Sequence, residues 1–181
     1  DAVRAAIAML ERLDTYNPTR QLPDRPPIQI GIGVNTGTLM LGTVGGPKHM
    51  DSTAISDAVN LASRVEGLTK VYGVSLLITD RTFVGLQDSS EYHIRPIDRV
   101  AVKGKTEKIS VFEVFDADPP GIRAGKVATR AQFEQGLTLF QMKQFAQAKR
   151  MFADCLHRNP NDSVAKIYWQ RTQQKQSTRS L

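Results

Sequence analysis

Asp57, Asn60 and Arg64 stand in the run Asp57-Ala58-Val59-Asn60-Leu61-Ala62-Ser63-Arg64. On a helix, at about 100° per residue, they fall within roughly 60° of one another. An acid, an amide and a guanidinium then share one face. Ser52, Thr53 and Ser56, just upstream, can each cap a helix N-terminus, and Asp57 suits the positive end of the dipole. Such a face beside an N-terminus can handle a polyphosphate or an anionic transition state. The same spacing also describes the wet side of an amphipathic helix. Lys103, in Val102-Lys103-Gly104-Lys105, adds a cation at a turn. Alone it reads equally as a hairpin-tip charge.

The elements that must hold this helix follow from periodicity and turn chemistry. Residues 1–14 form an Ala-rich amphipathic helix that buries Val3, Ile7 and Leu10, with Met9 and Leu13 beside them. Pro18, Pro23, Pro26 and Pro27 make 15–27 a loop. Residues 28–34 and 38–44 read as strands around the turn Asn35-Thr36-Gly37, so 28–44 is expected to be a β-hairpin. Its glycines mark the close approach of another backbone or a ligand. A loop then turns into the central helix, over about 54–70. Ile55, Val59, Ala62 and Val65 should point inward, with Leu61 and Leu68 at the border. A buried strand over 73–79 and a short helix over 80–86, capped by Thr79 or Asp80, come next. Residues 92–102 are extended, and Pro96 implies an edge or a bulge. Residues 109–115 pair back as a hairpin. Residues 117–126 read as a linker. Helices are expected over 127–174, with a frayed tail over 175–181.

Composition bounds the reading. The chain has 181 residues, 40% hydrophobic and 23% charged, which is ordinary for a globular protein with one domain and an appendage. No apolar run approaches the roughly 18 residues of a membrane span. One cysteine, Cys155, leaves no internal disulfide and fits a reducing, cytoplasmic setting. The net charge of +6 gathers in the last third. No basic block there is interleaved with aromatics, so no nucleic-acid partner is expected. His49, His93 and His157 show no metal-ligand spacing. The chain opens at Asp1 inside a helical pattern, so it is expected to be a piece of a longer protein.

Three motifs in order, Gly31-Ile32-Gly33-Val34-Asn35-Thr36-Gly37 with Gly42, Asp57 to Arg64, and Val102-Lys103-Gly104-Lys105, resemble the class III nucleotidyl cyclase catalytic domain. The resemblance covers the first 115 residues. It implies an α+β, ferredoxin-like cyclase sheet with helices, its first strands missing here, followed by a C-terminal all-α helical hairpin. The expected organisation is 1–116 cyclase domain, 117–126 linker, 127–174 helices and 175–181 tail. By motif, Asn60 orients the ribose and Arg64 stabilises phosphate charge in the transition state. Lys103 grips the terminal phosphates, Thr53 helps read the purine, and Asp57 belongs to the nucleotide-binding face. Thr53 favours ATP over GTP. Ser56 departs from the glycine common before the acid. The family acts as a homodimer with Mg²⁺ or Mn²⁺ held by two aspartates in strands upstream of Asp1. No metal ligand is therefore assigned in this chain, and it is expected to be inactive alone, with a parent protein that upstream segments could tether to a membrane.

Residues 129–174 resemble one tetratricopeptide repeat and a following helix. Gly136, Ala148, Phe152 and Pro160 take its small, large and breaker positions, with Cys155 in a small-residue slot. This implies a protein partner at the helices. Three functions stay open: an adenylate cyclase region converting ATP to cyclic AMP and pyrophosphate, a non-catalytic interaction or regulatory module, and a guanylate cyclase. Sequence preceding Asp1 would discriminate among them.

Overall fold

The computed structural model describes residues 2–20, 25–46, 49–101 and 108–177. Helix α1 spans Ala2–Tyr16. Strand β1 is Ile32–Val34, β2 Met40–Gly46 and β3 His49–Ile55. Helix α2 is Asp57–Tyr72, β4 Leu76–Thr79 and α3 Asp80–Val84. Strands β5, Ile94–Ala101, and β6, Lys108–Val114, precede helices α4 (Pro120–Gln141), α5 (Phe145–Arg158) and α6 (Ser163–Ser177).

A mixed four-stranded sheet, in the order β1-β4-β6-β5, organises the molecule. Among the described strands only β1 and β4 run parallel. Side chains alternate between its faces, as pleating requires. Leu76 and Ile78 of β4 pack with Val3 and Ala6 of α1, while Leu77 between them packs with Leu61, Val65 and Tyr72 of α2. Helices α4–α6 cover the α2 side too, through Phe133, Phe152 and Tyr168. The fold is thus α+β, with helices on both faces of the sheet.

Several expectations need correction. Residues 28–44 are not a hairpin. Strand β1 pairs in parallel with β4, Gly33 opposite Leu77, and β2 pairs antiparallel with β3, Gly42 opposite Thr53. The Asn35-Thr36-Gly37 turn does not reverse the chain, because its side chains bond elsewhere. Thr79 Oγ1 donates to Asn35 Oδ1, and the Thr36 and Thr82 hydroxyls share a bond. Residues 50–53, expected as loop, and 54–55, expected to open the central helix, lie in strand β3, and α2 starts at Asp57. Its buried stripe is Leu61, Val65, Thr69 and Tyr72, while Val59 is 38% exposed. In α1, Met9 faces out at 57%.

The stretch 117–126 is not an open linker. Helix α4 begins at Pro120, and Lys126 is buried, bonded to Glu113 of β6 and to Asp118. The described C-terminal unit has the expected three helices, a hairpin of α4 and α5 followed by α6, and α6 runs to Ser177, past the expected end near 174.

The β5–β6 hairpin and the α3 cap follow the sequence. The register of β5 slips between Pro96 and Asp98, since proline cannot donate to the ladder. Thr79 Oγ1 accepts the Thr82 amide at the start of α3.

Candidate active site

Three glycines seat α2 against β1. A Cβ on Gly33 would lie 2.3 Å from the Glu66 nitrogen and 2.6 Å from the Ala62 oxygen. One on Gly31 would strike the Thr69 hydroxyl at 2.0 Å, and one on Gly37 would meet Ala58 Cβ at 2.7 Å. The spacing of these glycines therefore tracks the α2 surface, and the close partner is another backbone. Ser56 caps the helix, its Oγ accepting the amides of Ala58 and Val59 at 3.1 and 3.3 Å. Asn35 Nδ2 donates to the Ala58 carbonyl at 3.0 Å, tying the first turn to the end of β1. Gly73, with φ 64°, ends the helix in the left-handed region that glycine favours.

So held, α2 leaves Asp57, Asn60 and Arg64 exposed, at the spacing that puts them on one face. They do not line one pocket. Asp57 lines a cavity of about 640 Å³ with Asn35, Thr38, Asp80, Arg81 and Lys108. Arg64 lines an adjoining cleft of about 290 Å³ with Leu68, Val100 and Ala101. Leu61 borders both. Val100 and Ala101 end strand β5, immediately before residues 102–107. Lys103 lies in that segment, outside the described residues. Thr53 sits on β3, opposite Gly42, and Asn60 lines neither cavity.

The sequence reading missed Asn35, Asp80, Arg81 and Lys108 as cavity-lining residues. Asn35 stood inside the glycine motif. The other three carried no signal beyond a cap and a strand start.

Two carboxylates, Asp57 and Asp80, share the larger cavity. Both Asp80 oxygens already accept backbone amides, from Arg81 at 2.7 Å and Ser110 at 3.3 Å. Among the described residues no three His, Cys, Asp or Glu side chains come together as a metal site. This donor set does not fit a two-metal centre, which needs several uncommitted carboxylate oxygens.

A charged cluster lies on the same side of the sheet. Arg95 of β5 is fully buried. Its Nη1 and Nη2 donate to Asp162 at 2.6 and 2.8 Å, and its Nε to Glu113 at 2.7 Å. Its guanidinium lies 4.4 Å from the centroid of the Phe133 ring. Burial opposes the Arg95 charge, but Glu113 and Asp162 outweigh it and raise the pKa. Nearby, Tyr72 at the end of α2 donates to Asp98. Burial first, and then that bond, push the Tyr72 phenol up to about 12. Arg171 of α6 stacks over Tyr72 and lies 3.6 Å from Asp98. Ser163 donates to the Gly73 carbonyl at 3.1 Å. Helix α6 thus grips the C-terminal end of α2.

A mixed sheet with α2 packed on one face and α1 on the other, the polar side of α2 left exposed, is the arrangement of a nucleotidyl cyclase domain. Residues 1–114 match the adenylate and guanylate cyclase catalytic domain, and the chain belongs to that family. It is 36% identical, over its whole length, to "Adenylate cyclase, terminal-differentiation specific" of Dictyostelium discoideum, of which it covers 8%. It is 47% identical over 118 residues to an adenylate cyclase of Anabaena cylindrica, spanning 62% of this chain and 24% of that protein. The adenylyl cyclase CyaB from P. aeruginosa is a structural relative, with TM-score 0.53, 29% identity, and coverage of 64% of this chain and 57% of that one. The chain therefore spans less than a quarter of the length of these two curated relatives.

Proposed function

We propose that this chain supplies one wall of an adenylate cyclase site that converts ATP to cyclic AMP and pyrophosphate. The observation that carries this reading is the exposed Asp57, Asn60 and Arg64 face of α2, with Arg64 beside the β5 end that leads to Lys103. The reaction is an in-line attack of the ribose 3′-hydroxyl on the α-phosphorus, with pyrophosphate leaving. Catalysis rests on geometry and on holding negative charge in the transition state. Asn60 orients the ribose, and Arg64 offers a planar, permanently charged fork to the phosphate. Lys103 holds the leaving group, and Thr53 reads the purine as adenine. Asp57 shapes the nucleotide face at the helix N-terminus.

A second copy of the domain provides the other wall. The carboxylates for Mg²⁺ or Mn²⁺ lie outside this chain. On this reading the chain alone does not turn over ATP. A cytoplasmic setting fits its single buried thiol, Cys155. Helices α4 and α5 act as a tetratricopeptide-like pair that receives a protein partner. The close fit of Gly136 against Phe152 and Met151, where an added Cβ would lie 3.0 and 3.1 Å away, supports that part.

The test is a longer form of the protein that makes cyclic AMP. There Arg64→Ala should lower kcat by about 10²–10³ with circular dichroism unchanged. Undiminished turnover would remove Arg64 from the site. Cyclic AMP from the 181-residue chain with Mn²⁺ and ATP would overturn its incompleteness. Preferential turnover of GTP by the longer form would favour the guanylate reading, which the family description also covers.

A further inference from the structure

A groove of about 640 Å³ opens between the α4–α5 turn, α6 and the stem of the β5–β6 hairpin. Phe140, Phe145 and Tyr168 form its aromatic part. Arg99, Lys108, Lys143 and Lys175 stand around it, all exposed. Among the described residues none of these four cations makes an ion pair. Asp98, the acid in the groove, is already engaged by Tyr72 and Arg171. The Tyr168 hydroxyl is engaged too, donating to the Ile97 carbonyl at 2.7 Å. The groove thus offers aromatic carbon within a ring of uncompensated positive charge.

We propose that this groove docks an acidic protein segment through one apolar or aromatic anchor side chain flanked by glutamates or aspartates. Charge complementarity names the occupant: four cations steer and hold acids, while the aromatic part receives the anchor. A small ligand fits less well, because small-molecule sites place buried polar groups to fix orientation, and every cation here is exposed. Single-stranded nucleic acid fits less well again, because it needs free ring faces for stacking. Phe140 packs edge-to-face with Phe145 at 5.4 Å and with Tyr168 at 5.1 Å, and Tyr168 stacks on Phe152. These contacts take up the ring faces that stacking would need, while Phe140 and Phe145 still line the groove with apolar carbon.

The position gives docking a consequence. Arg99 and Lys108 belong to the two strands of the hairpin whose connecting residues include Lys103. Lys143 belongs to the α4–α5 turn, with φ 61°. A bound segment bridges the two. The docking claim itself is independent of cyclase chemistry.

The test uses the full 181-residue chain and a fluorescein-labelled peptide of glutamates and aspartates around one phenylalanine. Fluorescence anisotropy should show binding that weakens as salt rises. The same peptide with glutamine and asparagine should bind about tenfold or more weakly. The double reversal Arg99→Glu/Lys175→Glu should cost the acidic peptide a similar factor, with circular dichroism unchanged. Equal binding of the acidic and neutral peptides overturns the proposal without any variant. So does an affinity that the reversal leaves untouched. Displacement of the peptide by a thymidine oligonucleotide whose own affinity falls with the reversal would give the groove to nucleic acid instead.

Discussion

Replacing Asp162 by alanine should cost this protein a large part of its stability. The carboxylate holds both Nη atoms of Arg95, and the pair is fully buried. Removing it leaves a guanidinium in the core with Glu113 as its remaining carboxylate, which Lys126 already shares. Breaking a buried pair from one side costs about 3–5 kcal/mol. Asp162 Oδ1 also accepts the Ala165 amide at 3.2 Å, a helix-start bond worth about 1 kcal/mol. The two losses share one group and do not add fully, so the expected cost is about 4 kcal/mol. That is a large fraction of the roughly 5–15 kcal/mol typical of a folded domain. Urea unfolding followed by circular dichroism measures it. Glu134→Gln is the control, since the Arg130–Glu134 pair is exposed and worth about 0.3–0.5 kcal/mol. Acid provides a second readout. Burial opposes the Asp162 charge, but the Arg95 bonds win and hold its pKa below the ordinary carboxylate value. Its stabilisation is present above the unfolded pKa and fades as pH falls through the folded one. Asp118 has the opposite sign, because burial raises its carboxyl, and its protonation relieves a cost. The wild-type chain should therefore show an acid limb, below the usual carboxylate range, that Asp162→Ala lacks. A cost under about 1 kcal/mol for Asp162→Ala would refute the claim that this cluster docks the helices.

Other substitutions probe the seat of α2 and the helical core. Gly33→Ala should lower stability by at least about 1–3 kcal/mol, seen as a lower Tm, because its Cβ meets the α2 backbone and not a movable side chain. Asn35→Ala should cost about 1–3 kcal/mol and speed amide exchange in the first turn of α2, since it frees the Ala58 carbonyl. Burial pushes the Cys155 thiol up to about 11, so alkylation at neutral pH should be negligible in the folded chain and complete in urea.

What could be read from sequence divides by the range of the interaction. The bulge at Pro96, the Thr79 cap and the buried run Leu76–Thr79 are local effects, and the residue types announce them. The partner of β1 is not local. Alternation in 28–34 marks a strand, and the turn residues after it mimic a hairpin, but the hydroxyls of Thr79 and Thr82 claim that turn. The burial of Arg95, Glu113, Lys126 and Asp162 leaves no local mark in the sequence, because each partner comes from a different element. The same logic explains why helix periodicity found the polar face of α2 and mistook its apolar one. The inward arc of α2 serves two neighbours. Ala58, Ala62, Glu66 and Thr69 meet the glycines around β1, and Leu61, Val65 and Tyr72 meet the core shared with α4–α6. Small and polar residues in the first set blur the apolar signal and shift the apparent stripe toward Val59. Asp57, Asn60 and Arg64 occupy the arc that neither neighbour uses. Their exposure follows from how tightly the rest of the helix is held, and a helix fixed at both ends and along its inner side can present an amide and a guanidinium in constant geometry.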